Sequence, residues 1–443
     1  MNYTTSFRIF FSFTLVITLL LYPLGNTAWA APTSDPALST AERSEQKILP
    51  SIEIEPVSSK KENNYPIVLV HGFVGFDELL GIEYWGGLTD YERDLRKRGH
   101  EVYTAEIGPV TSNWDRAAEL YAQIKGGTVD YGKAHAAQHG HHRFGRSYSG
   151  LYPAWGDIDP ETGSINKIHL IGHSMGGQTI RTLIQLLENG HENESASTSG
   201  GDLSPLFDST PQPWVHGVVT ISSPHDGTTF TGFVDEVLPQ AQKLLAGFGT
   251  LTGGKKKAEL DLQLDQWGLK RERGESFHDY IQRAKKSKVW KTSDQSKWDL
   301  SPNGAKELNQ WVNASPNVYY FSIANEQTRS SLFNRKQRPE LLMNPLFYAG
   351  SIHMGRYRGN ENGITINADW WQNDGIVNTN SMDGPTIGSN DQIVHYDGTP
   401  QRGKWNYMGK MKSFDHFDIV GAGVRDLRSW YRDLATMLSS LPE

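Results

Sequence analysis

The chain contains no cysteine among its 443 residues. Disulfide bonds, thiolate metal sites and cysteine catalysis are therefore excluded. It also has no excess of positive charge, because 43 lysines and arginines face 50 aspartates and glutamates, which leaves a formal net charge of −7. No basic block is long enough to follow a nucleic-acid backbone, so we expect no nucleic-acid partner.

Only the N-terminus carries a long apolar run. Residues 9–22 are apolar and follow Arg8, and the small-x-small sequence Ala28-Trp29-Ala30 comes shortly after. The run is shorter than the roughly 20 residues that a membrane span requires, and Pro23 interrupts it. This pattern predicts a signal peptide over residues 1–30 and a secreted, extracellular protein without a stable membrane span.

Two further regions follow the predicted signal peptide. Residues 31–63 are rich in Pro, Ser, Glu and Lys and show no amphipathic period, which predicts a disordered linker or a short pro-segment. From residue 64 to 443, strand patterns (66–70, 101–105, 214–222) alternate with helical ones (90–98). This alternation predicts one α/β domain with a mainly parallel sheet flanked by helices.

The pentapeptide Gly172-His173-Ser174-Met175-Gly176 matches the G-x-S-x-G nucleophile elbow. A strand pattern at 167–171 precedes it, and an apolar period of helical spacing over 177–187 follows it. An elbow needs this strand–turn–helix context, with small residues around a strained serine. The sequence therefore predicts that Ser174 is a catalytic nucleophile.

A serine nucleophile needs a histidine base and a carboxylate, which follow it in the order Ser, Asp or Glu, His in this class of fold. The late histidines are His353, His395 and His416. We favour His416, because it lies in a loop just before the final amphipathic helix, whereas His395 sits in a strand-like run. Among the acids, Asp374 in the turn of Asn373-Asp374-Gly375 is favoured over Asp369 and Asp391.

An oxyanion hole needs two backbone N–H groups near the developing negative charge. The residue after the nucleophile, Met175, supplies one of them in this class of fold, and the loop after an early strand supplies the other. The loop His71-Gly72-Phe73 follows the strand at 66–70, so we assign the second N–H to Phe73. The alternative for His71-Gly72 is a simple turn that ends the strand.

A segment at about 228–260 has apolar residues on one helical face, Phe233 and Val237 among them, and a proline at 239 that should kink it. An ordinary surface helix packed on the core shows the same period. Next to a serine elbow, the segment indicates a mobile lid that turns its apolar face toward a lipid surface.

Four histidines crowd into one glycine-bearing stretch: His135, His139, His141 and His142. Such a cluster is typical of a solvated polar loop, and imidazoles at this density also suit zinc. The residues alone leave both interpretations open.

Several stretches together resemble a known family, among them YPIVLVHGFVGF, YWGG, GHSMGGQT, SSPHDGTT, LDQWGL, NDGIVNT and DHFDIVG. They are similar to the secreted lipases of Bacillus, Geobacillus and Staphylococcus, a subfamily of bacterial α/β-hydrolases. The resemblance spans roughly residues 64–440. It implies an α/β-hydrolase fold, a catalytic triad of Ser174, Asp374 and His416, and an oxyanion hole formed by Phe73 and Met175.

The resemblance also implies two structural metals. It places zinc on Asp115, His135, His141 and Asp265, within an extra region formed by about 113–146 and 261–270, and leaves His139 and His142 as polar residues. It places calcium near the catalytic histidine, with Asp418 and the Leu342 carbonyl as ligands. The next acidic calcium ligand of the relatives is replaced here by Gly423, and Asp426 is a substitute only after a loop shift.

These expectations converge on a secreted triacylglycerol lipase that acts through an acyl-enzyme at an oil–water interface. The alternative of the same fold is a phospholipase A1-type activity. Two hypotheses come from other classes. A zinc hydrolase using the histidine cluster would lose activity on chelation and survive loss of Ser174, and a non-catalytic lipid-binding protein would bind emulsions without ester turnover.

Overall fold

The structure is a computed structural model that describes residues 51–79, 82–87, 89–230, 261–331, 335–421 and 425–443. The strands are β1 Ile67–Val70, β2 Glu78–Leu79, β3 Ile82–Glu83, β4 Val102–Ala105, β5 Gly127–Asp130, β6 Phe144–Tyr148, β7 Ile168–His173, β8 Val215–Ile221, β9 Tyr319–Glu326, β10 Thr328–Ser330, β11 Gln337–Pro339, β12 Gly359–Glu361, β13 Ile364–Ile366, β14 Ile393–His395 and β15 Trp405–Lys412. The α-helices are α1 Tyr91–Arg96, α2 Asn113–Lys125, α3 Lys133–His139, α4 Met175–Asn189, α5 Glu192–Ser197, α6 Phe277–Lys285, α7 Ser296–Asp299, α8 Pro302–Trp311, α9 Tyr348–Met354 and α10 Arg428–Ser439.

Seven of these strands form one sheet in the order β14-β15-β9-β8-β7-β1-β4. Every pairing within it is parallel. The central strands β1, β7 and β8 are buried along their whole length. Such a strand must be covered on both faces, which is why these segments read as continuous apolar runs. The predicted parallel sheet is confirmed.

Helices cover the sheet, and their apolar residues fill two large cores. One core joins α10 and the ends of β8, β9 and β15, and it includes Trp430, Tyr431 and Leu434. The other joins α2 and α4 to the opposite sheet face, and it includes Leu120, Ile180 and Leu183. Together with the sheet, this layering gives the predicted α/β-hydrolase fold.

The first described residues belong to the domain. Ile52 and Ile54 are buried in the core around α10, and the amide nitrogen of Asn63 donates to the carbonyls of Leu438 and Leu441 at 3.0 and 3.1 Å. Residues 51–63 belong to the segment predicted to be a disordered linker or short pro-segment. In the structure they pack on the core through two isolated isoleucines that show no amphipathic period.

Two other predicted segments fall largely beyond the described ranges. The predicted signal peptide lies outside them, and so do residues 231–260 of the predicted lid. At the start of the lid segment, the Thr228 hydroxyl donates to the Ile376 carbonyl at 2.7 Å, and the Thr229 N–H donates to the Asn378 side chain at 2.8 Å. None of the helices in the described ranges has the length and apolarity needed to cross a membrane.

Candidate active site

Ser174 occupies the turn between β7 and α4, with backbone angles φ 56° and ψ −130°. A non-glycine residue with positive φ is strained, so the surrounding structure must enforce the conformation. Close backbone contact does so here, because a Cβ atom at Gly176 would lie 2.3 Å from the Val70 carbonyl oxygen. The predicted elbow therefore forms as the sequence pattern requires, with Ser174 only 3% exposed.

His416 and Asp374 form a hydrogen-bonded pair. Nδ1 of His416 lies 2.7 Å from Oδ2 of Asp374, and both side chains are buried. The other carboxylate oxygen, Oδ1, accepts the backbone N–H groups of Ile376 and Val377 at 3.0 and 2.8 Å. Asp374 is therefore held in one orientation by its own tight turn.

The pair lies beside the serine elbow. The carboxyl ends of β1, β7 and β15 meet at one edge of the parallel sheet, and His71, Ser174 and His416 follow these three strands. The rings of His416 and His173 are 4.5 Å apart between centroids. These contacts place the Asp374–His416 pair next to the elbow that carries Ser174.

The competing candidates have other places. Asp391 accepts the Ala314 N–H at 2.9 Å and the Trp405 indole N–H at 3.0 Å, and Asp369 is exposed. His395 lies on the sheet-edge strand β14, and His353 stacks on Tyr357 at 5.2 Å.

The amides predicted for the oxyanion hole are positioned at the same edge. Neither the Phe73 N–H nor the Met175 N–H donates a hydrogen bond within the described part of the chain. The loop that carries Phe73 lies against the serine, since a Cβ atom on Gly72 would come 2.6 Å from the Ser174 Cβ. Only glycine permits this approach, and the two amides without partners belong to the residues that directly follow Gly72 and Ser174.

A buried arginine fixes this loop. Arg116 donates to the carbonyls of His71 and Gly108 at 2.5 and 2.6 Å, and its Nε donates to the Thr179 hydroxyl at 2.9 Å. Burial lowers the pKa of its guanidinium to about 10, so it still carries its charge at neutral pH. Arg116 therefore joins two loops of the sheet edge to helix α4, which directly follows Ser174.

A second polar group combines residues of α2 and α3 with one residue just after α3 and one just before α7. One ligand atom each from Asp115, His135, His141 and Asp294 lies within 4.8 Å of the others. Nε2 of His135 is 3.3 Å from a carboxylate oxygen of each aspartate, and Nε2 of His141 is 3.2 Å from Asp294 and 3.9 Å from Asp115. A tetrahedron with metal–ligand bonds of about 2.0–2.1 Å has edges of about 3.3–3.4 Å. Three of these four separations are close to that length, and the four side chains form a candidate metal site.

The surroundings of this group agree with a metal site. The imidazole Nε2 atoms and one oxygen of each aspartate are buried and have no conventional hydrogen-bond partner among the described residues. Partners behind them set their orientation: Gln266 donates to the second oxygen of Asp115 at 2.7 Å, and Nδ1 of His141 contacts the His142 carbonyl at 2.8 Å. Metal-binding side chains are commonly oriented in this way.

The fourth residue differs from the sequence prediction. Asp265 was expected to complete the group, but its two carboxylate oxygens bind the Arg146 guanidinium at 2.5 and 3.0 Å. Asp294 takes the place, from the segment just before α7 and outside the predicted zinc region of 113–146 and 261–270. A lone aspartate in a polar stretch carries no local signal of this role.

The choice of His141 over His139 follows from backbone geometry. Helix α3 ends at His139, and Gly140 takes the left-handed conformation at φ 79° and ψ 36°. This turn, which glycine adopts without strain, folds the chain back so that His141 faces His135. The assignment of His139 and His142 as residues outside the group agrees with the arrangement.

The carboxylate predicted to bind calcium, Asp418, has protein partners. Oδ2 of Asp418 accepts the Asp415 N–H at 3.2 Å and lies 3.9 Å from Arg425, and both oxygens of Asp415 accept backbone N–H groups. Leu342 has an exposed side chain, and Gly423 lies outside the described ranges. Calcium needs roughly six to eight oxygen ligands. On their own, the described carboxylates of this loop, Asp415 and Asp418, supply fewer oxygens than that number.

Comparison with known proteins shows relatives over most of this chain. The family described as lipase-like, C-terminal domain matches residues 63–442. Among solved structures, EstA from Clostridium botulinum is 48% identical with a TM-score of 0.80, over 88% of this chain and 92% of that one. Lipase 1 from Pelosinus fermentans is 50% identical with a TM-score of 0.78, over 86% of this chain and all of that one.

A curated relative, Lipase 1 of Staphylococcus aureus (strain Mu50 / ATCC 700699), is 38% identical over 82% of this chain and 52% of its own length. The chain therefore spans about half the length of the curated relatives it matches. The parallel sheet and the serine elbow define an α/β-hydrolase. Within that class, the chain belongs to the family of lipase-like C-terminal domains.

Proposed function

We propose that this chain is a secreted triacylglycerol lipase that releases fatty acids through a Ser174–His416–Asp374 acyl-enzyme mechanism. The observation that carries the proposal is the buried Asp374–His416 pair, joined at 2.7 Å beside a serine on a strained elbow. The names of the relatives support the substrate class, because the staphylococcal proteins and the Pelosinus protein are both called lipases.

In the acylation step, Ser174 Oγ attacks the ester carbonyl carbon while His416 Nε2 takes the hydroxyl proton. Asp374 holds the proton on Nδ1 of His416, which leaves Nε2 free to act as the base. The carbonyl oxygen becomes an oxyanion and accepts the N–H groups of Phe73 and Met175. His416 then donates the proton to the leaving alcohol, and the acyl group stays on Ser174.

In the deacylation step, the same residues act on water. His416 takes a proton from the water as its oxygen attacks the acyl carbon, and the two amides again hold the oxyanion. The ester bond to Ser174 breaks, His416 returns the proton to the serine oxygen, and the fatty acid leaves.

The group of Asp115, His135, His141 and Asp294 is proposed to hold zinc. Four protein ligands close the coordination sphere, so a bound ion would join α2, α3 and the segment before α7 without supplying a reactive water. Secretion through the signal peptide at 1–30, and opening of a lid at about 228–260 at the oil surface, belong to the same proposal and rest on the sequence pattern.

The test is fatty-acid release from a triacylglycerol emulsion by the wild-type chain and by Ser174→Ala. We expect release to fall by several orders of magnitude, roughly 10⁴-fold or more, since the triad acts as a unit. Ser222→Ala is the matched control, because Ser222 is also buried, also ends a central strand and also has a positive φ of 51°. It should retain activity.

Other outcomes point elsewhere. Release that persists in Ser174→Ala and disappears on chelation would replace the triad by a zinc hydrolase. Binding to the emulsion without any turnover would indicate a lipid-binding protein. Hydrolysis of phosphatidylcholine in preference to triacylglycerol, lost in Ser174→Ala, would keep the mechanism and change the substrate to a phospholipid.

A further inference from the structure

A chain of buried hydrogen bonds joins the loop of the oxyanion amides to the loop of the histidine base. The Gly72 N–H donates to the Tyr84 hydroxyl oxygen at 3.0 Å, and that hydroxyl lies 2.6 Å from Nδ1 of His173. Nε2 of His173 lies 2.9 Å from the carbonyl oxygen of His416. Tyr84 and His173 are both buried, so water does not compete for these contacts.

The direction of each hydrogen bond follows from the acceptor at the end of the series, the His416 carbonyl. The His416 carbonyl can only accept, so Nε2 of His173 must carry a proton. Burial and the neighbouring His416 hold the pKa of His173 well below its usual value, so the ring is neutral and its Nδ1 is bare. The Tyr84 O–H must therefore donate to Nδ1, while the Tyr84 oxygen accepts from Gly72.

At the Gly72 end of this series of hydrogen bonds, the contacts set the orientation of the peptide planes in the oxyanion loop. In the His71–Gly72 peptide, Arg116 holds the carbonyl oxygen at 2.5 Å and Tyr84 holds the N–H. In the next peptide, the Gly72 carbonyl contacts Nδ1 of His71 at 2.9 Å and accepts the Gly75 N–H at 3.2 Å. Since the N–H and C=O of a peptide point in opposite directions, the Phe73 N–H is turned away from these partners.

We propose that Tyr84 and His173 are positioning residues that fix the oxyanion amide of Phe73 relative to the His416 base. Neither touches the reacting atoms; each acts through backbone groups on either side of Ser174. This inference rests on the proposed function. A displacement of about 1 Å in a reacting group costs about 100-fold in rate, so a shared tether between the two halves is catalytically significant.

The test is Tyr84→Phe, which removes one oxygen and keeps the ring. With a soluble short-chain p-nitrophenyl ester, we expect kcat per titrated active site to fall about 10- to 100-fold, while KM changes about twofold or less. The affinity for an alkylboronic acid, which forms a tetrahedral adduct on serine, should fall by the same factor, because that adduct needs the oxyanion amides.

Tyr320→Phe is the matched control. Tyr320 is also buried, and its hydroxyl also accepts one backbone N–H at 3.0 Å, from Ser315, in a core away from the site. It should lose a similar amount of thermal stability and keep kcat and boronic acid affinity. Equal effects of the two substitutions on kcat would overturn the proposal.

A second variant keeps the test decisive if Tyr84→Phe does not fold. His173→Gln keeps an amide N–H for the His416 carbonyl but has no acceptor at the position of Nδ1, where the Tyr84 hydroxyl donates, so kcat should fall while the fold is kept. In the double variant Tyr84→Phe/His173→Gln the losses in kcat should not add, because both substitutions interrupt the same series of hydrogen bonds. Unchanged kcat in His173→Gln would overturn the inference. Wild-type protein without ester turnover, or turnover that survives Ser174→Ala, would instead refute the proposed function.

Discussion

Asp374 contacts His416 twice, through the side chain and through the backbone. Its Oδ2 lies 2.7 Å from Nδ1 of the imidazole, and its carbonyl accepts the His416 N–H at 2.9 Å. The side-chain contact fixes the orientation of the imidazole ring, and the backbone contact fixes the position of the His416 main chain. Loss of the carboxylate charge should therefore change the imidazole tautomer and leave the position of the loop intact.

Asp374→Asn tests this directly. The amide keeps an oxygen for the Ile376 and Val377 N–H groups and presents an NH₂ group to Nδ1 of His416. Nδ1 then accepts a hydrogen bond and the imidazole proton moves to Nε2, so Nε2 can no longer accept the serine proton. We expect kcat on a soluble ester to fall roughly 10³- to 10⁴-fold with the fold retained. Asp391→Asn, at the competing acid that binds Ala314 and Trp405, should keep activity; a comparable loss there would contradict the assignment of Asp374.

The metal group gives a second prediction. Asp294→Ala should remove bound zinc and lower the melting temperature, because it takes away one of four converging ligands and leaves the others uncompensated. Asp265→Ala breaks the ion pair with Arg146 and should keep the metal content of the wild type. Zinc content by mass spectrometry of the native protein distinguishes the two, and loss of zinc only in Asp265→Ala would restore the sequence-based ligand set.

A third prediction concerns calcium. Arg425 lies 3.9 Å from Asp418 and stacks on Phe414, where it supplies positive charge to the loop of His416. Burial and the nearby Asp415 raise the pKa of Asp418 to about 7. In metal-free buffer, millimolar calcium should shift the melting temperature by about 1 °C or less, since a ligand stabilises only if it binds the folded state. A large stabilisation by calcium would show that the described carboxylates do bind the ion.

A fourth prediction concerns acid. Burial, with help from Lys167 and Arg402, lowers the pKa of His216 to about 4. In the unfolded chain His216 is protonated below its ordinary pKa near 6.5, whereas in the folded chain it stays neutral down to about pH 4. The free energy of unfolding therefore decreases as pH falls from 6.5 to 4. His216→Phe should remove this loss, so the stability of the variant relative to the wild type should rise by on the order of 3 kcal/mol between pH 6.5 and pH 4. Urea unfolding at several pH values measures it, and an unchanged difference between the two proteins would contradict the prediction. His395→Gln, at an exposed histidine, is the control.

Local patterns were enough to predict the framework of the site. Ser174 is flanked by a buried strand and an amphipathic helix. The patterns of apolar residues that predict both elements lie in the sequence directly next to it. Chain order then restricted the partners to a few late residues, and the turn chemistry around Asp374 and the position of His416 near the last helix separated them from Asp391 and His395.

The parts that the sequence did not predict depend on contacts between distant segments. Asp294 and Asp265 are both aspartates in polar stretches, and only the fold shows that Arg146 neutralises one and leaves the other facing two imidazoles. Tyr84 likewise lies about 90 residues before the histidine it contacts. Ile52 and Ile54 reach the core without any periodicity, so a rule based on amphipathic spacing misses them.

The position of β15 in the sheet has a consequence for how the protein matures. This strand is almost the last element of the chain, yet it inserts between β14 and β9 and delivers His416 to a serine some 240 residues earlier. Contacts of such sequence separation form late, after a large loss of chain entropy. A chain still emerging from the ribosome presents Ser174 long before His416, so the proposed triad is complete only once β15 has joined the sheet, and the onset of turnover during refolding should report the closing of the whole domain.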